Sequence, residues 1–342
     1  MTADSSATHV VARAPAADLD AYHAAREGAA LFDRPGSALV EVTGAERLAY
    51  LNGLATNKLV DLGLGSAARA FFLIPTKGRV LADLIACETG NATWLECQGG
   101  SAGTVLALLA KYYFGQDVAF TDRSAEWRVL AIVGPEAGRI LTGVAQDVPP
   151  ARERTHEETR LGGASVRALK WSDAGPPGWH LWVPAEAVES ARQAILEAGA
   201  APGTEAAWTL LQIESGIAAF GRELGEDVIP LEAPTADAID HAKGCYPGQE
   251  VIARLHVRGR PARNLMGLRI DGAEPLPVGS TLDAPGKTGV ALVTASAVSP
   301  ALGPVALAFV HRDHCAPGTR LTSGTRSAEV AELPLIPPSA GA

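Results

Sequence analysis

The chain has little cysteine: four in 342 residues, at positions 87, 97, 245 and 315. No two stand in Cys-x-x-Cys spacing, so neither a zinc ribbon nor a thioredoxin-like motif is indicated. So few cysteines in so long a chain also exclude a disulfide scaffold. No apolar run reaches the ~18 residues that a membrane helix needs. Residues Met1 to Ala7 lack the basic start and apolar stretch of a secretion signal and read as a short disordered tail of a cytoplasmic protein. Internal repeats and low-complexity blocks are missing. Positive charge is in deficit: 29 Lys and Arg against 38 Asp and Glu give a net charge of −9, which argues against non-specific nucleic-acid binding.

Two local shortages stand against that background. From Val251 to Ile270 there is no acidic residue, while Arg254, His256, Arg258, Arg260, Arg263 and Arg269 fall within it. Such a run could hold a carboxylate tail or phosphates, or it is a solvated strand face whose arginines pair with distant acids. From Trp94 to Gln116 there is no aspartate.

What is present is an ordinary globular balance, 47% hydrophobic and 20% charged, in a length that suggests two or three domains. Ser37 to Thr43, Ala68 to Ile74, Arg79 to Glu88 and Ala92 to Gln98 read as strands, with helices over Ala45 to Leu54 and Ser101 to Phe114. Trp127 to Val133, Ser165 to Trp171 and Trp179 to Val183 are further strands, followed by a helix over Pro184 to Ala198. Glu205 to Ile217 is an amphipathic helix with Ala206, Leu210, Ile213 and Ile217 on its core side. After Pro261 only strand-like runs remain, Asn264 to Ile270, Gly289 to Val298, Val305 to His311 and Ala328 to Leu333, and Leu335 to Ala342 reads as a flexible tail. The fold class is α+β with antiparallel sheets plus a C-terminal all-β barrel or sandwich. The expected division is 1–125, 126–260 and 261–342.

The stretch Lys243-Gly244-Cys245-Tyr246-Pro247-Gly248-Gln249-Glu250 concentrates chemistry. Its glycines permit backbone angles a Cβ resists, Pro247 fixes its own φ, and the Lys243 ammonium near Cys245 would favour a thiolate. The alternative is a turn whose cysteine is a small apolar filler. Glu214, at a helix end where the dipole disfavours a carboxylate, either faces solvent or is held for an N–H-bearing ligand. His311-Arg-Asp-His314-Cys315 has zinc-type ligands but no second cluster, and reads as a strand ending in a turn.

The Lys-Gly-Cys stretch resembles the signature of the YgfZ family, folate-binding proteins linked to iron–sulfur protein maintenance and related to the T-protein (aminomethyltransferase) of glycine cleavage. Dispersed matches run from about Leu39 to Leu333: Leu54-Ala-Thr-Asn57, Gly78-Arg79-Val80-Leu81-Ala82-Asp83, Gln212-Ile213-Glu214-Ser215-Gly216-Ile217 and Pro230-Leu231-Glu232-Ala233. The resemblance implies a three-lobed ring with tetrahydrofolate, or a derivative, in a central hole. It implies that Glu214 binds the pterin and that Lys243, 29 positions on, contacts the glutamate tail. Arg326 is the expected C-terminal basic contact, and Asn57, Tyr246 and Arg254 complete the set around the folate. Gln212 and Pro234 replace the family's arginine and glycine. The aspartate that T-proteins carry just after the strand that here is Ala92 to Gln98 is missing, and T-proteins lack the Lys-Gly-Cys signature.

Three functions are therefore in play. In the first, the chain binds tetrahydrofolate and supports assembly or repair of iron–sulfur proteins, with Cys245 as the functional thiol and iron–sulfur apo-proteins or their assembly machinery as partners. One cysteine alone cannot hold a cluster, and no metal site of its own is expected. In the second, the chain is a folate-dependent aminomethyl or methyl transferase in which Asp83 stands in for the missing aspartate. The third is a hydrolase pairing Cys245 with His241 or His256. The first requires Glu214, Lys243 and Cys245 to line one hollow.

Overall fold

The computed structural model describes residues 15–337. Helix α1 (Ala16–Glu27) leads to β1 (Ala30–Asp33) and β2 (Ala38–Thr43). Then come α2 (Arg47–Asn52), β3 (Ala67–Leu73), β4 (Val80–Glu88), β5 (Ala92–Cys97), α3 (Ala102–Lys111) and β6 (Ala119–Asp122). The middle of the chain forms β7 (Trp127–Val133), α4 (Ala137–Val144), β8 (His156–Leu161), β9 (Ala164–Lys170), β10 (Gly178–Pro184), α5 (Val188–Glu197), β11 (Ala201–Pro202) and α6 (Glu205–Ser215). Helix α7 (Gln249–Arg258) precedes β12 (Arg263–Ile270), β13 (Thr281–Ala284), β14 (Lys287–Ser299), β15 (Gly303–His311), β16 (Arg320–Ser323) and β17 (Arg326–Ala331).

These strands make a five-stranded sheet in the order β3-β4-β5-β2-β6, a six-stranded sheet β11-β1-β7-β10-β9-β8, and a closed barrel β12-β15-β14-β13-β16-β17. The α+β class with antiparallel sheets and a C-terminal barrel is what the sequence leads one to expect. The expected division at 125 needs a correction. Strand β1 lies within 1–125 but pairs antiparallel with β7 and parallel with β11, so it belongs to the second sheet. The basic segment is corrected as well. Gln249–Arg258 is a helix, because Ile252 is buried with Val251 and Leu255 beside it at helical spacing, while Arg254 and His256 face solvent. Nor is Leu335 part of a free tail: it is 5% exposed in the main core, and Ile336 N–H donates to the Glu214 carbonyl at 3.0 Å. The expected N-terminal tail, Met1 to Ala7, and residues 338–342 lie outside the described residues. Among those described, no helix is long and apolar enough to cross a membrane.

The two sheets meet over an apolar seam that includes Leu39, Ile85, Leu169, Trp171 and Trp182. Trp94 packs edge-to-face on Trp127 at 5.7 Å across it, a geometry worth about 0.5–1.5 kcal/mol beyond burial. Helix α6 joins this body to the barrel. The Thr204 hydroxyl accepts from Ala207 N–H and caps its start. Its end is closed by Gly216 at φ +68°, where Ile217 N–H reaches back to the Gln212 carbonyl. A Cβ on Gly216 would also sit 2.7 Å from Leu333, so glycine is needed there twice over.

Candidate functional site

A cavity of about 1400 Å³ opens where both sheets, α6 and the barrel converge. Strands β3 and β4 supply Arg69, Asp83 and Ile85, the segment after β9 supplies Trp171 to Asp173, and the barrel supplies Thr294 to Ser296. Thr294 sits at a register shift in β14, a bulge of the kind that re-aims side chains beside functional sites. Helix α6 presents Glu205, Ala206, Thr209 and Gln212, spaced so that one helical face lines the wall. Gly99 lets Phe220 close another wall: its φ is +65°, and a Cβ there would lie 2.6 Å from the Phe220 ring.

The wall is charged in pairs. Both Asp83 oxygens accept from Arg69, at 3.0 Å from Nε and 2.7 Å from Nη2. Arg69 Nη1 lies 3.6 Å from Asp237, which Arg154 also reaches at 3.1 Å. Burial pushes the Asp83 carboxyl above the usual range against the pull of Arg69, which makes it a better proton acceptor than an exposed aspartate. Arg154 is the one non-glycine residue with positive φ among those described, at +62°. Its N–H donates to the Lys170 carbonyl and its carbonyl accepts from Ala67 N–H, so the strained residue is clamped by both sheets. Arg34 lies 3.9 Å over the Trp208 ring, and its buried Nε has no partner among the described residues.

A second charged group runs inward from the cavity. His180 Nε2 is 3.0 Å from Asp173 Oδ1, and its Nδ1 is 2.8 Å from Glu96 Oε1. Trp182 Nε1–H donates to the other Glu96 oxygen at 2.6 Å. Ionised carboxylates only accept, so both ring nitrogens must donate and the ring is an imidazolium. Burial opposes that charge, but Glu96 and Asp173 outweigh it and raise His180 to about 10. Asp173 meets the same opposition from burial, and His180 draws it down to about 2.

The structure does not bring Glu214, Lys243 and Cys245 into this cavity. Glu214 is fully buried on the far side of α6, where Tyr22 (3.0 and 3.2 Å), Ser299 (2.6 Å) and Arg26 hold its carboxylate. Lys243 donates to the carbonyls of Asn52 (2.5 Å), Ala55 and Asn57 (3.1 Å). Burial lowers its ammonium to about 8, and all its donors are spent on backbone. Cys245 is exposed. Tyr246 is buried in the core beside Lys243, 5.1 Å from its Nζ. Arg254 is exposed on α7, and Arg326 bonds the carbonyls of Pro275 (2.8 Å) and Glu274 in the barrel. Of the basic run, Arg263 pairs with Glu232 at 3.1 Å. His241 and His256 stack on each other, ring centres 3.7 Å apart.

Asp83 alone of the expected site residues lines the cavity. Asn57 stands behind the wall: its amide donates to the carbonyls of Arg69 (2.8 Å) and Asp237 (3.0 Å). The Lys-Gly-Cys motif and the Asn57 element therefore brace the site. Lys243 fixes the loop bearing Asn57, and Asn57 fixes Arg69 and Asp237. Gly248, at φ +86°, touches the turn around Gly78 that leads into the Asp83 strand. Gly244 has no positive φ. Sequence reasoning missed Arg34, Arg154, Asp173 and Phe220, which stand singly in loops without spacing to betray them. Helix α6 follows from the helical period, but its expected core side needs a correction: Leu210 and Ile213 are buried, whereas Ala206 and Ile217 line the cavity.

Comparison with known proteins agrees with the architecture. Residues 13–243 match the family model described as the GCVT N-terminal domain. An aminomethyltransferase of Rubrobacter xylanophilus is 31% identical over 84% of this chain and 78% of its own length. One of Cutibacterium acnes is 30% identical over 93% of this chain and 90% of its own. The crystal structure of the glycine cleavage system aminomethyltransferase T from Bartonella henselae superposes with a TM-score of 0.85 over 94% of this chain and 90% of that one. Its identity of 22% speaks for the fold alone. The chain belongs to the aminomethyltransferase family that carries the GCVT N-terminal domain.

Proposed function

We propose that the chain binds tetrahydrofolate in the cavity between its sheets and takes part in transfer of a one-carbon unit, with Asp83 as the proton-handling group. The relatives named aminomethyltransferases put this reading ahead of iron–sulfur maintenance. The observation that carries it is the composition of the wall. Trp171 and Phe220 offer flat apolar surface, Asp173 offers an acceptor for ring N–H groups, and Arg34, Arg154 and Arg222 offer donors to an anionic tail. The buried Arg34 Nε without a partner fits an anionic or carbonyl acceptor. When bound, tetrahydrofolate supplies the nitrogen that receives the one-carbon unit.

The chain's own residues then divide the work. Arg69 orients the Asp83 carboxylate and remains its counter-ion, while burial keeps that carboxylate basic enough to take a proton from an attacking amine. Asn57 fixes the backbone of Arg69, so the pair is held from outside the cavity. Tryptophan and phenylalanine walls exclude water and strengthen each charge inside. Turnover of an aminomethylated donor with tetrahydrofolate tests the reading. Asp83→Asn should lower turnover steeply while leaving tetrahydrofolate binding measurable, and full turnover by that variant would refute the assignment.

A second reading, the YgfZ-type role in iron–sulfur maintenance, is favoured by one observation. Cys245 is the exposed cysteine, carried on a loop that Lys243 anchors rigidly. Such a thiol is available to a partner protein. Cluster reconstitution on an apo-protein, accelerated by the wild type but not by Cys245→Ser, would support it. Equal rates would remove it.

A further inference from the structure

The buried group Glu96–His180–Asp173 costs more than an apolar contact of the same size would. Glu96 and His180 are withdrawn from water and Asp173 partly so, and such clusters are rarely a net gain in stability. Their arrangement nonetheless serves one end of the chain of contacts. Asp173 is fixed at its backbone by α6, where Gln212 Nε2 donates to its carbonyl at 3.0 Å. The following turn is tied down by Ser215 Oγ, 3.1 Å from the Ala174 carbonyl. Gly175 then passes so close to Ser215 that a Cβ would lie 1.8 Å from its hydroxyl. The side chain is fixed independently from β10, since Oδ1 accepts from His180. Its Oδ2 has no hydrogen bond to another residue among those described, although Asp173 lines the cavity. Asp83, by contrast, has both oxygens engaged by Arg69.

We infer that Asp173 is a ligand-binding carboxylate of the cavity, that its free oxygen takes an N–H donor edge or a protonated amine, and that His180, clamped by Glu96, is the positioning residue that keeps it charged and aimed. This deepens the folate reading and rests on it for its probe. The substrate class follows from the chemistry. A fixed carboxylate with one vacant acceptor selects a donor, and a ligand offering only acceptors there leaves a desolvated charge unpaired. His180 is a positioning residue because it lies behind Asp173, fully buried. Other charged groups also face Asp173. Arg34 draws its carboxyl down, Arg69 feels its charge, and Asp83 is raised by it. Glu96 faces His180 from β5. Removal of the imidazolium leaves burial to raise the Asp173 carboxyl against Arg34, so its protonation moves to higher pH.

The experiment is calorimetric titration of the full chain with tetrahydrofolate between pH 5 and 8, for wild type, Asp173→Asn and His180→Gln. Asp173→Asn keeps an acceptor for His180 and the shape of the turn, and should weaken binding by about 10- to 100-fold, the worth of one charge-assisted hydrogen bond. His180→Gln should move the acid limb of the affinity profile up by at least about one pH unit, a change that mere loosening of the fold does not produce. Nitrogen-detected magnetic resonance of the wild-type ring should show both nitrogens protonated at pH 8, which keeps the positioning role testable should His180→Gln not fold. Equal affinity of Asp173→Asn and wild type would overturn this inference and leave the folate reading standing. A neutral ring at pH 8, or an unmoved acid limb, would overturn the role of His180. Absence of wild-type binding at millimolar tetrahydrofolate would overturn the folate reading and this inference together.

Discussion

Gln212 and Glu214 stand two residues apart on α6 and serve opposite sides of it: Gln212 lines the cavity, while Glu214 is sealed beneath Tyr22, Arg26 and Ser299. Residues at i and i+2 of a helix do not share a face, so the helix that lines the cavity cannot offer both. The buried carboxylate is therefore a structural clasp between α1, α6 and the barrel. Glu214→Ala leaves Arg26 without its partner and should cost about 3–5 kcal/mol in denaturant unfolding. A loss below about 1 kcal/mol would contradict the clasp.

Asp83 has the opposite profile. Its carboxylate belongs to the cavity, and its loss should fall on chemistry. Asp83→Asn should lower turnover by about 10²- to 10⁴-fold, the range for a general acid or base. Affinity for tetrahydrofolate should change far less than turnover. A variant that loses affinity and keeps its turnover at saturation would show that Asp83 only binds.

Two buried histidines contribute opposite limbs to the pH dependence of stability. Despite burial, Glu96 and Asp173 hold His180 at about 10, above its ordinary 6.5. The folded chain keeps a proton that the unfolded chain releases, so this contribution is complete below pH 6.5 and fades as the pH rises towards 10. His156 is lowered to about 4 by burial and by Arg167. Arg167 can only donate, so Nδ1 accepts and the ring stays neutral. Its contribution is complete above 6.5 and is lost as the pH falls towards 4. In unfolding measured across pH, the His180 share of the alkaline limb is on the order of a few kcal/mol at ~1.4 kcal/mol per pKa unit, and Lys243, lowered by burial to about 8, opposes it above that pH. His180→Gln should flatten the alkaline limb, and an unchanged limb would contradict the imidazolium.

The cysteines separate by exposure. Cys245 is exposed, whereas burial raises the thiols of Cys87 and Cys97 well above the ordinary range. A thiol-specific chromogenic reagent should titrate Cys245 first in the native protein, and Cys87 and Cys97 only after unfolding. Cys245→Ser should shift stability by less than about 0.5 kcal/mol and leave tetrahydrofolate affinity unchanged. Rapid native reaction of Cys87 or Cys97 would contradict the placement of β4 and β5.

The sequence and the structure agree where period and turn chemistry act locally. Four strands of the first sheet, the amphipathic α6 and four of the six barrel strands follow from such patterns, whereas the four-residue strands β6, β13 and β16 do not show in them. Strand β1 escaped because four residues, Ala30–Asp33, carry no alternation and gain their identity from β7 and β11, far along the chain. The site was legible only in part for a related reason. Motif matching picked Lys243 and Asn57, whose fixed geometry is needed for bracing, yet bracing residues and lining residues look alike in one dimension. Arg34, Arg154 and Asp173 meet only through long-range packing, and nothing near any of them in the chain announces it. Glu214 misled because a carboxylate at a helix end reads equally as ligand or clasp until its partners, 192 residues away at Tyr22 and 85 at Ser299, are in place.

The central claim is that folate occupies the cavity walled by Trp171, Phe220 and α6. Titration with tetrahydrofolate followed by tryptophan fluorescence, for wild type and Thr209→Trp, tests it most directly. The indole would add bulk on the face of α6 that lines the cavity. Saturable quenching in the wild type, and loss of binding in a folded Thr209→Trp, is the predicted result; equal affinity in both would place the ligand elsewhere and contradict the account.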